Sequence, residues 1–409
     1  MLIYSYQFLN IVALLLKSTD LSFMQKVTNI GLAAFLALSF ILPDIVKAQN
    51  ITESKFGSGI SVFARDSSFS MKFSTRFQTL YEGVHDLEAD KYTDNLLIRR
   101  ARLKFDGFVY NPKIQYKIEL GLSGSDIGNK DVVSESNYAP LQILDAVIKY
   151  NFYGNWSLWV GQTKLPGNIE RVISSQALQF VDRSFLNSRY NLDRDRGVQV
   201  RYDGERFGVI TAVSIGEGRN ISEENQGGYD YTARLEWLPL GRFRRNGDYV
   251  GGDLLRETTP KLMFGIVYDY NDNTNRERGQ LGRVLGENRT LQAVFIDMHF
   301  KYRGWSVMSE YVNKQAPDGA VVSDGIFYTG TGLNIQTGYL LKNNLELALR
   351  FTEVLPAAET LRAGIHQYTF GVSKYIVGHS LKIQSDLTRI EIEGEDGSMM
   401  YRAQVEVSF

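Results

Sequence analysis

The feature that most limits how this chain can fold is a period-two alternation of apolar and polar residues that recurs between residues 68 and 409. From Tyr229 to Trp237, every odd position is Tyr, Ala, Leu or Trp, and every even position is Asp, Thr, Arg or Glu. Successive side chains of a β-strand point to opposite faces, so the alternation predicts strands with one apolar and one charged face. After residue 50, no apolar run reaches the roughly 18 residues that a transmembrane helix needs. The chain is therefore expected to be all-β.

Alternating strands occur both in soluble β-sandwiches and in barrels that span a membrane. The predicted strands are about 10 residues or longer, as a tilted spanning strand requires. Their apolar faces are continuous and aromatic, in a chain with 23 Tyr, 23 Phe and 4 Trp. The connections alternate between short Gly, Asn and Pro turns and longer polar loops, as in bacterial barrels with short periplasmic turns and long extracellular loops. We therefore predict a transmembrane antiparallel β-barrel of about 16 strands.

Several connections and strand ends are distinctive. The long loops include 82–93, 165–194 and 272–288, whereas 239–259 is long where a short periplasmic turn is expected. Aromatic residues near strand ends are expected to form a girdle at the membrane interface, with ordinary packing around turns as the alternative. They are Tyr110, Phe152, Tyr153, Trp156, Tyr202, Phe207, Tyr302, Trp305 and Tyr375.

Arg99 is an exception to the two-face pattern. Parity places it beside Ala101 on the outer, apolar face. An arginine facing lipid at the bilayer midplane costs about 2–4 kcal/mol. We therefore expect Arg99 to lie near an interface, at a subunit contact or on an irregular strand end.

The N-terminus has the pattern of a targeting segment. Met24 is followed by Lys26, by the apolar stretch Ile30–Leu42 and by a small residue at Ala48, which predicts a signal peptide cleaved after Ala48. A single transmembrane anchor is the alternative, but this apolar stretch is shorter than the ~20 residues that span a bilayer. The predicted divisions are an upstream start-site extension at 1–23, the signal peptide at 24–48, a lead-in at 49–67 and the barrel at 68–409.

A barrel of about 16 strands is too wide to be filled by its own side chains and leaves an aqueous channel, so the charged faces are expected to line water. The segment 165–194 has no strand pattern, and loops of this length usually serve a function. In a channel, its natural role is to fold inward and narrow the pore. We treat it as a predicted constriction loop.

Basic residues are concentrated on one strand and in the predicted constriction loop. Rows of Arg and Lys attract anions, and guanidinium groups match the geometry of phosphate. The candidate pore-lining residues are Arg100, Arg102, Lys104, Arg183, Arg189, Arg194 and Arg196. The alternative is that these cations pair with acids such as Asp106, Glu119 and Asp145 and only stiffen the wall.

Several stretches resemble the phosphate-selective porin O/P family of Gram-negative outer membranes. They are Ile98–Gly107, Trp159–Pro166, Phe180–Phe185, Arg194–Val200, Gly247–Tyr249 and Thr259–Leu262. The long turn 239–259 also looks like a family feature. The terminal Phe409, after alternating Tyr401 to Val407, resembles the signal read by the barrel assembly machinery. The resemblance covers roughly residues 60–409.

This resemblance implies an outer-membrane porin with sixteen strands, a homotrimeric assembly and a third long loop folded into the channel. It implies passive diffusion of small inorganic anions such as phosphate, with outer-membrane lipid around the barrel. A general, weakly selective solute porin is the alternative function.

Other function classes are less well supported by the sequence. The absence of cysteine excludes a thiol nucleophile and a cysteine zinc site, and the formal charge of −1 excludes a basic whole-chain surface for nucleic acid. None of the four histidines lies in a recognisable nucleophile motif. We therefore predict no enzyme activity, catalytic residue, metal or cofactor. An adhesin-type or lipolytic outer-membrane barrel is a lower-ranked alternative.

Overall fold

The computed structural model describes residues 55–127, 142–222 and 224–409. The predicted segments 1–23 and 24–48 and the first residues of the lead-in lie outside the described residues. Nineteen strands are present in the described ranges, and sixteen of them form a single closed antiparallel barrel, which confirms the predicted fold. No helix in those ranges is long and apolar enough to cross a membrane.

The barrel strands follow the chain in order. They are β2 (Phe69–Asp86), β3 (Lys91–Val109), β4 (Asn111–Gly121), β5 (Ile143–Tyr153), β6 (Trp156–Lys164), β7 (Arg194–Asp203), β8 (Phe207–Ser214), β9 (Asp230–Trp237), β10 (Lys261–Arg276), β11 (Val284–Tyr302), β12 (Trp305–Gln315), β15 (Gly330–Leu340), β16 (Leu345–Pro356), β17 (Ile365–Val377), β18 (Leu381–Ile392) and β19 (Glu395–Ser408). Outside the barrel, β1 (Ile60–Phe63) pairs with the start of β2, and β13 (Val321–Val322) pairs with β14 (Gly325–Ile326).

Short helices lie in the connections. They are α1 (Gly124–Ile127), α2 (Ile169–Val172), α3 (Phe185–Tyr190) and the 3₁₀ turns Ser175–Ala177, Arg244–Tyr249 and Ala358–Thr360.

The barrel closes where β19 pairs with β2. The register runs from Ser398 opposite Asp86 to Ser408 opposite Arg76. Beyond it, the backbone N–H groups of Thr75 and Phe409 donate to each other's carbonyl oxygens at 2.8 and 3.0 Å. Every barrel strand therefore has a partner on both sides, as a hydrocarbon environment requires of backbone groups.

The two faces of the strands differ sharply in exposure. On β9, Arg234 and Glu236 are at most 2% exposed and face the lumen, whereas Leu235 and Trp237 are about half exposed on the outside. The outer surface is thus the apolar surface that lipid requires, and the inner surface carries the charged side chains.

Aromatic residues of the predicted girdle lie mainly on the outer surface near the short turns. Tyr110 and Tyr153 are 81% and 76% exposed, and Trp305 packs against Tyr339 with ring centroids 4.7 Å apart. The prediction for Tyr375 was wrong. Its side chain faces the lumen, is 2% exposed and donates a hydrogen bond to Glu346 Oε2 at 2.6 Å.

Two predicted loops were too long. Only residues 87–90 separate β2 from β3, and only 277–283 separate β10 from β11, so the predicted loops 82–93 and 272–288 consist largely of strand. Their polar composition suggested loops because an apolar face is needed only where a strand meets lipid. Near the β2–β3 connection, the ladder continues through polar pairs such as Glu82 opposite Asn95 on one face and His85 opposite Tyr92 on the other.

The lumen contains packed segments as well as charged wall residues. Residues 165–193, between β6 and β7, run through the interior and are called the inward segment below. Its Leu186 and Leu192 pack with Val267, Phe295 and Val312, which are lumen-facing residues of β10, β11 and β12. The inner face was expected to be charged and to line water, but on this side apolar residues occupy inward positions and pack against the inward segment.

The long turn 239–259 also folds into the lumen. Lys301 Nζ on β11 donates to Val250 O, and the backbone N–H of Gly251 donates to Ala177 O in the inward segment, both at 2.7 Å. Phe243 of the turn packs with Ile169 and Leu178 in a second apolar cluster. The length of this turn allows it to enter the lumen from its own end of the barrel and to pack against the inward segment.

Replacing Phe243 with Ala should lower the free energy of unfolding by about 3–5 kcal/mol, since it leaves a cavity in this cluster. Urea unfolding of the protein folded in lipid vesicles would measure the change. Leu361→Ala is a suitable control, because Leu361 is 94% exposed and its loss should change the free energy by less than about 0.5 kcal/mol. Equal effects of the two substitutions would contradict this packing.

Candidate functional site

The inward segment fills one side of the lumen and leaves an opening against β3 to β7. This opening, called the aperture below, has a volume of about 620 Å³. Its cationic lining residues are Arg99, Arg100, Arg102, Lys117, Lys149, Lys164, Arg171, Arg183, Arg194, Arg201, Arg219, Arg278 and Arg402. Its acidic lining residues are Glu119, Asp126, Asp145, Asp182 and Asp193. Among the described residues, cations therefore outnumber acids by thirteen to five.

A β-bulge on β3 places two consecutive arginines in the aperture. Gln78 pairs with Arg100 and Thr79 pairs with Ile98, so Arg99 is the extra residue between them. The bulge reverses the parity of the strand, which is why the outward position expected for Arg99 was wrong. The strand is irregular as one alternative expected, but in the interior of β3 and not at its end.

Asp182 of the inward segment joins both arginines. Its Oδ2 lies 2.6 Å from Arg99 Nη2, and its Oδ1 lies 2.9 Å from Arg100 Nη2. Burial acts to raise the pKa of Asp182, but Arg100 and Arg99 hold it well below its ordinary value. Asp182 is therefore ionised at neutral pH, and this pair of charge-assisted contacts attaches the inward segment to the β3 wall.

Other lining cations are also paired with carboxylates. Arg102 Nη2 lies 2.6 Å from Asp126 Oδ1, and Arg194 Nε lies 3.0 Å from Asp145 Oδ1. Arg171 pairs with Asp193 inside the inward segment. For these residues, the alternative prediction, in which the cations pair with nearby carboxylates, describes the structure.

Six lining cations have no carboxylate within 4 Å in the described parts of the chain: Lys149, Lys164, Arg183, Arg201, Arg219 and Arg278. Two of them are held by the carboxyl end of α2. Lys164 Nζ donates to Arg171 O at 2.8 Å, and both Lys164 Nζ and Arg183 Nη2 donate to Ile173 O, at 3.2 and 2.8 Å. Helix carbonyl groups favour cations at this end. Because these oxygens carry no net charge, they position the two side chains without forming an ion pair with them.

Neutral oxygens also hold cations elsewhere in the aperture. Arg219 Nη2 donates to Asp126 O at 2.9 Å, and Arg278 Nη1 donates to Ser188 O at 2.8 Å. Burial lowers the pKa of Arg219 to about 10, which leaves it protonated at neutral pH.

An aromatic ring holds the two cations nearest the short-turn end. Lys149 Nζ and Arg201 Cζ each lie 3.8 Å from the centroid of Trp159. The three residues come from the adjacent strands β5, β6 and β7. The quadrupole of the indole ring attracts both cations, and it leaves their charge available to a ligand.

The structure separates the residues predicted from sequence into two groups. Arg100, Arg102, Arg183 and Arg194 line the aperture. Lys104 pairs instead with Asp106 at 2.8 Å, and Arg196 Nη1 donates to Ile221 O at 2.6 Å. Arg189 lies in a neighbouring pocket beside Tyr328.

Sequence reasoning missed most of the cations that lack carboxylates. Lys149 and Arg201 occupy inward positions of alternating strands, so strand parity could have identified them as candidates. Their meeting at Trp159 depends on the register of three strands, which the alternation does not fix.

Comparison with protein families gives one match. A family model described as phosphate-selective porin O and P matches residues 72–326. No curated protein sequence matches the chain.

Comparison with solved structures gives matches to porins and other outer-membrane channels. An anion-selective porin from Comamonas acidovorans aligns with a TM-score of 0.52 at 11% identity, over 83% of this chain and 100% of that one. The outer-membrane channel DcaP of Acinetobacter baumannii aligns with a TM-score of 0.55 at 12% identity, over 86% and 100%. OmpT of Vibrio cholerae, in a trimer form, aligns with a TM-score of 0.53 at 11% identity, over 84% and 100%. At these identities, the likenesses show the shared barrel fold.

Proposed function

Because this chain belongs to the phosphate-selective porin O and P family of outer-membrane channels, we propose that its barrel lets small inorganic anions diffuse passively across the outer membrane. The observation that carries the proposal is the set of six aperture cations held by neutral groups. Had every lining cation been paired with a carboxylate, the aperture would offer an anion little net attraction.

The contacts around these cations support weak and repeated binding. Lys164 and Arg183 lie together at the carboxyl end of α2, whereas Lys149 and Arg201 lie further toward the short-turn end. An anion that leaves one pair finds another, and each pair offers N–H donors in place of lost water. Conduction requires binding that is favourable enough to admit an ion and weak enough to release it.

Phosphate is the anion that we infer from the family and from the guanidinium donors of the aperture. Arg183 and Arg219 offer the forked N–H geometry that matches phosphate oxygens. A general, weakly selective solute porin is the second candidate, which the aperture volume of about 620 Å³ supports.

Millimolar phosphate should reduce the chloride current through a phosphate site, whereas chloride current unaffected by phosphate would favour the general porin.

We also propose how the chain reaches its membrane and assembles. Residues 24–48 act as a signal peptide after an upstream extension at 1–23, Phe409 is recognised by the barrel assembly machinery, and three chains form a trimer. The backbone pairing of Phe409 with Thr75 at the closing seam supports a role for this residue in completing the barrel. N-terminal sequencing of the mature protein tests the predicted cleavage after Ala48. Gln49 is the expected first residue, and a mature chain that begins at Met1 would contradict the prediction. Light scattering of the detergent-solubilised protein tests the trimer, which a monomeric mass would contradict.

Anion preference should fall when one unpaired cation is removed. In planar bilayers with a chloride salt gradient, the unmodified protein should show a reversal potential of anionic sign. Arg183→Gln should reduce the anion-to-cation permeability ratio about sevenfold, because a unit charge ~7 Å away in water favours an anion by about 0.6 kcal/mol and disfavours a cation by the same amount.

Arg303→Gln is the matched control for this measurement. It removes the same charge from an exposed residue in the β11–β12 turn, outside the aperture, and should leave the reversal potential unchanged. Arg219→Gln provides a second variant should Arg183→Gln fold poorly. A cation-selective unmodified protein, or equal effects of Arg183→Gln and Arg303→Gln, would contradict the proposal.

A further inference from the structure

A second cavity lies beside the aperture, at the end of the barrel that carries the long loops. Its volume is about 250 Å³. Helix α3, the segment that precedes β15, and the β16–β17 connection surround it. We call it the outer pocket and define it by Arg189, Tyr328, Arg362, Val354 and Ile365.

One wall of the outer pocket concentrates positive charge around a single aromatic ring. The guanidinium carbon of Arg362 lies 3.8 Å from the centroid of Tyr328, and those of Arg189 and Arg278 lie 5.7 and 5.8 Å away. In the described part of the chain, none of these three arginines has a carboxylate within 4 Å. Arg362 Nη2 donates to Ile326 O at 3.3 Å, but its Nη1 is buried without a hydrogen-bond partner among the described residues. Arg189 and Arg362 line the outer pocket, and Arg278 adds positive charge from the aperture side of the same ring, so the pocket offers a site for an anion.

The opposite wall of the outer pocket is apolar. It is formed by Val354, Pro356, Ile365 and Ile392. A hydrated inorganic anion gains nothing from such a wall, and a neutral apolar molecule gains little from the arginines. A ligand that satisfies both walls has an anionic group on an apolar body.

The size of the outer pocket limits that body. Apolar cavities of about 150 Å³ hold benzene in other proteins, so 250 Å³ accommodates a single ring together with a carboxylate. Guanidinium groups have the fork that matches the two oxygens of a carboxylate, and two of them, Arg189 and Arg362, line the pocket.

We propose that the outer pocket binds small organic carboxylates with a compact apolar body, such as a single aromatic ring. Arg278 lines the aperture as well as approaching Tyr328, so the two sites adjoin. Bound carboxylates are thereby concentrated next to the aperture. This role in uptake rests on the proposed anion channel. Binding of a carboxylate to the outer pocket does not depend on whether the barrel conducts anions.

Equilibrium dialysis of benzoate against the full chain folded in detergent micelles tests the binding, with protein-free micelles correcting for partitioning. Benzoate should bind with at least about tenfold lower Kd than acetate, which lacks the ring, or benzyl alcohol, which lacks the charge. Arg362→Gln should weaken benzoate binding about tenfold or more, and Arg189→Gln should weaken it independently.

Arg283→Gln is the matched control for this test. Arg283 is in the β10–β11 loop, has a side chain that is 64% exposed and pairs with Glu277 outside the outer pocket, so benzoate binding should be unchanged. The inference is overturned if benzoate binds no more tightly than acetate, or if Arg362→Gln and Arg189→Gln behave like Arg283→Gln.

Planar-bilayer recordings on the same preparations separate this inference from the proposed function. Anion-selective chloride conduction without preferential benzoate binding would overturn only the outer pocket. Benzoate binding that depends on Arg362, in a protein without anion selectivity, would overturn only the proposed channel function.

Discussion

The closed ladder of backbone hydrogen bonds determines the rest of this structure. Once β19 is joined to β2, every strand is paired on both sides, and the side chains divide between an outer surface that meets lipid and an inner surface that cannot. The outer surface must be apolar, so the charged residues are placed inside. Sixteen strands enclose more space than the wall side chains fill, and the inward segment and the long turn occupy part of it.

These two internal segments give the lumen its asymmetry. They pack together through Phe243, Ile169 and Leu178, and the inward segment packs against the apolar inner faces of β10 to β12. Asp182 then ties the inward segment to Arg99 and Arg100 on the other wall. The remaining aperture is bounded by side chains that are fixed on both sides. Its cations are therefore presented at set positions, four of them by carbonyl oxygens in place of carboxylates.

The parity of the alternating strands was enough to predict the barrel, its strand number and the inward face that carries Arg100 and Arg102. Parity failed where the strand itself is irregular, since one bulge moves Arg99 from the lipid side to the lumen. The cations of the aperture were predicted only in part. The positions of Lys164 and Arg183 depend on a one-turn helix inside the inward segment, and the meeting of Lys149, Trp159 and Arg201 depends on the register of three strands. Neither feature leaves a periodic signal in the sequence.

We propose that the anion sites of the aperture are the cations held by neutral groups. Anomalous diffraction from crystals of the protein soaked in bromide measures this directly, because the ion scatters distinctly and needs no further chemistry. We expect bromide peaks beside the Lys164–Arg183 pair and beside Lys149 and Arg201, and no peak beside the carboxylate-paired Arg99 and Arg100. Bromide confined to the outside of the barrel, or equally strong beside the paired arginines, would contradict it.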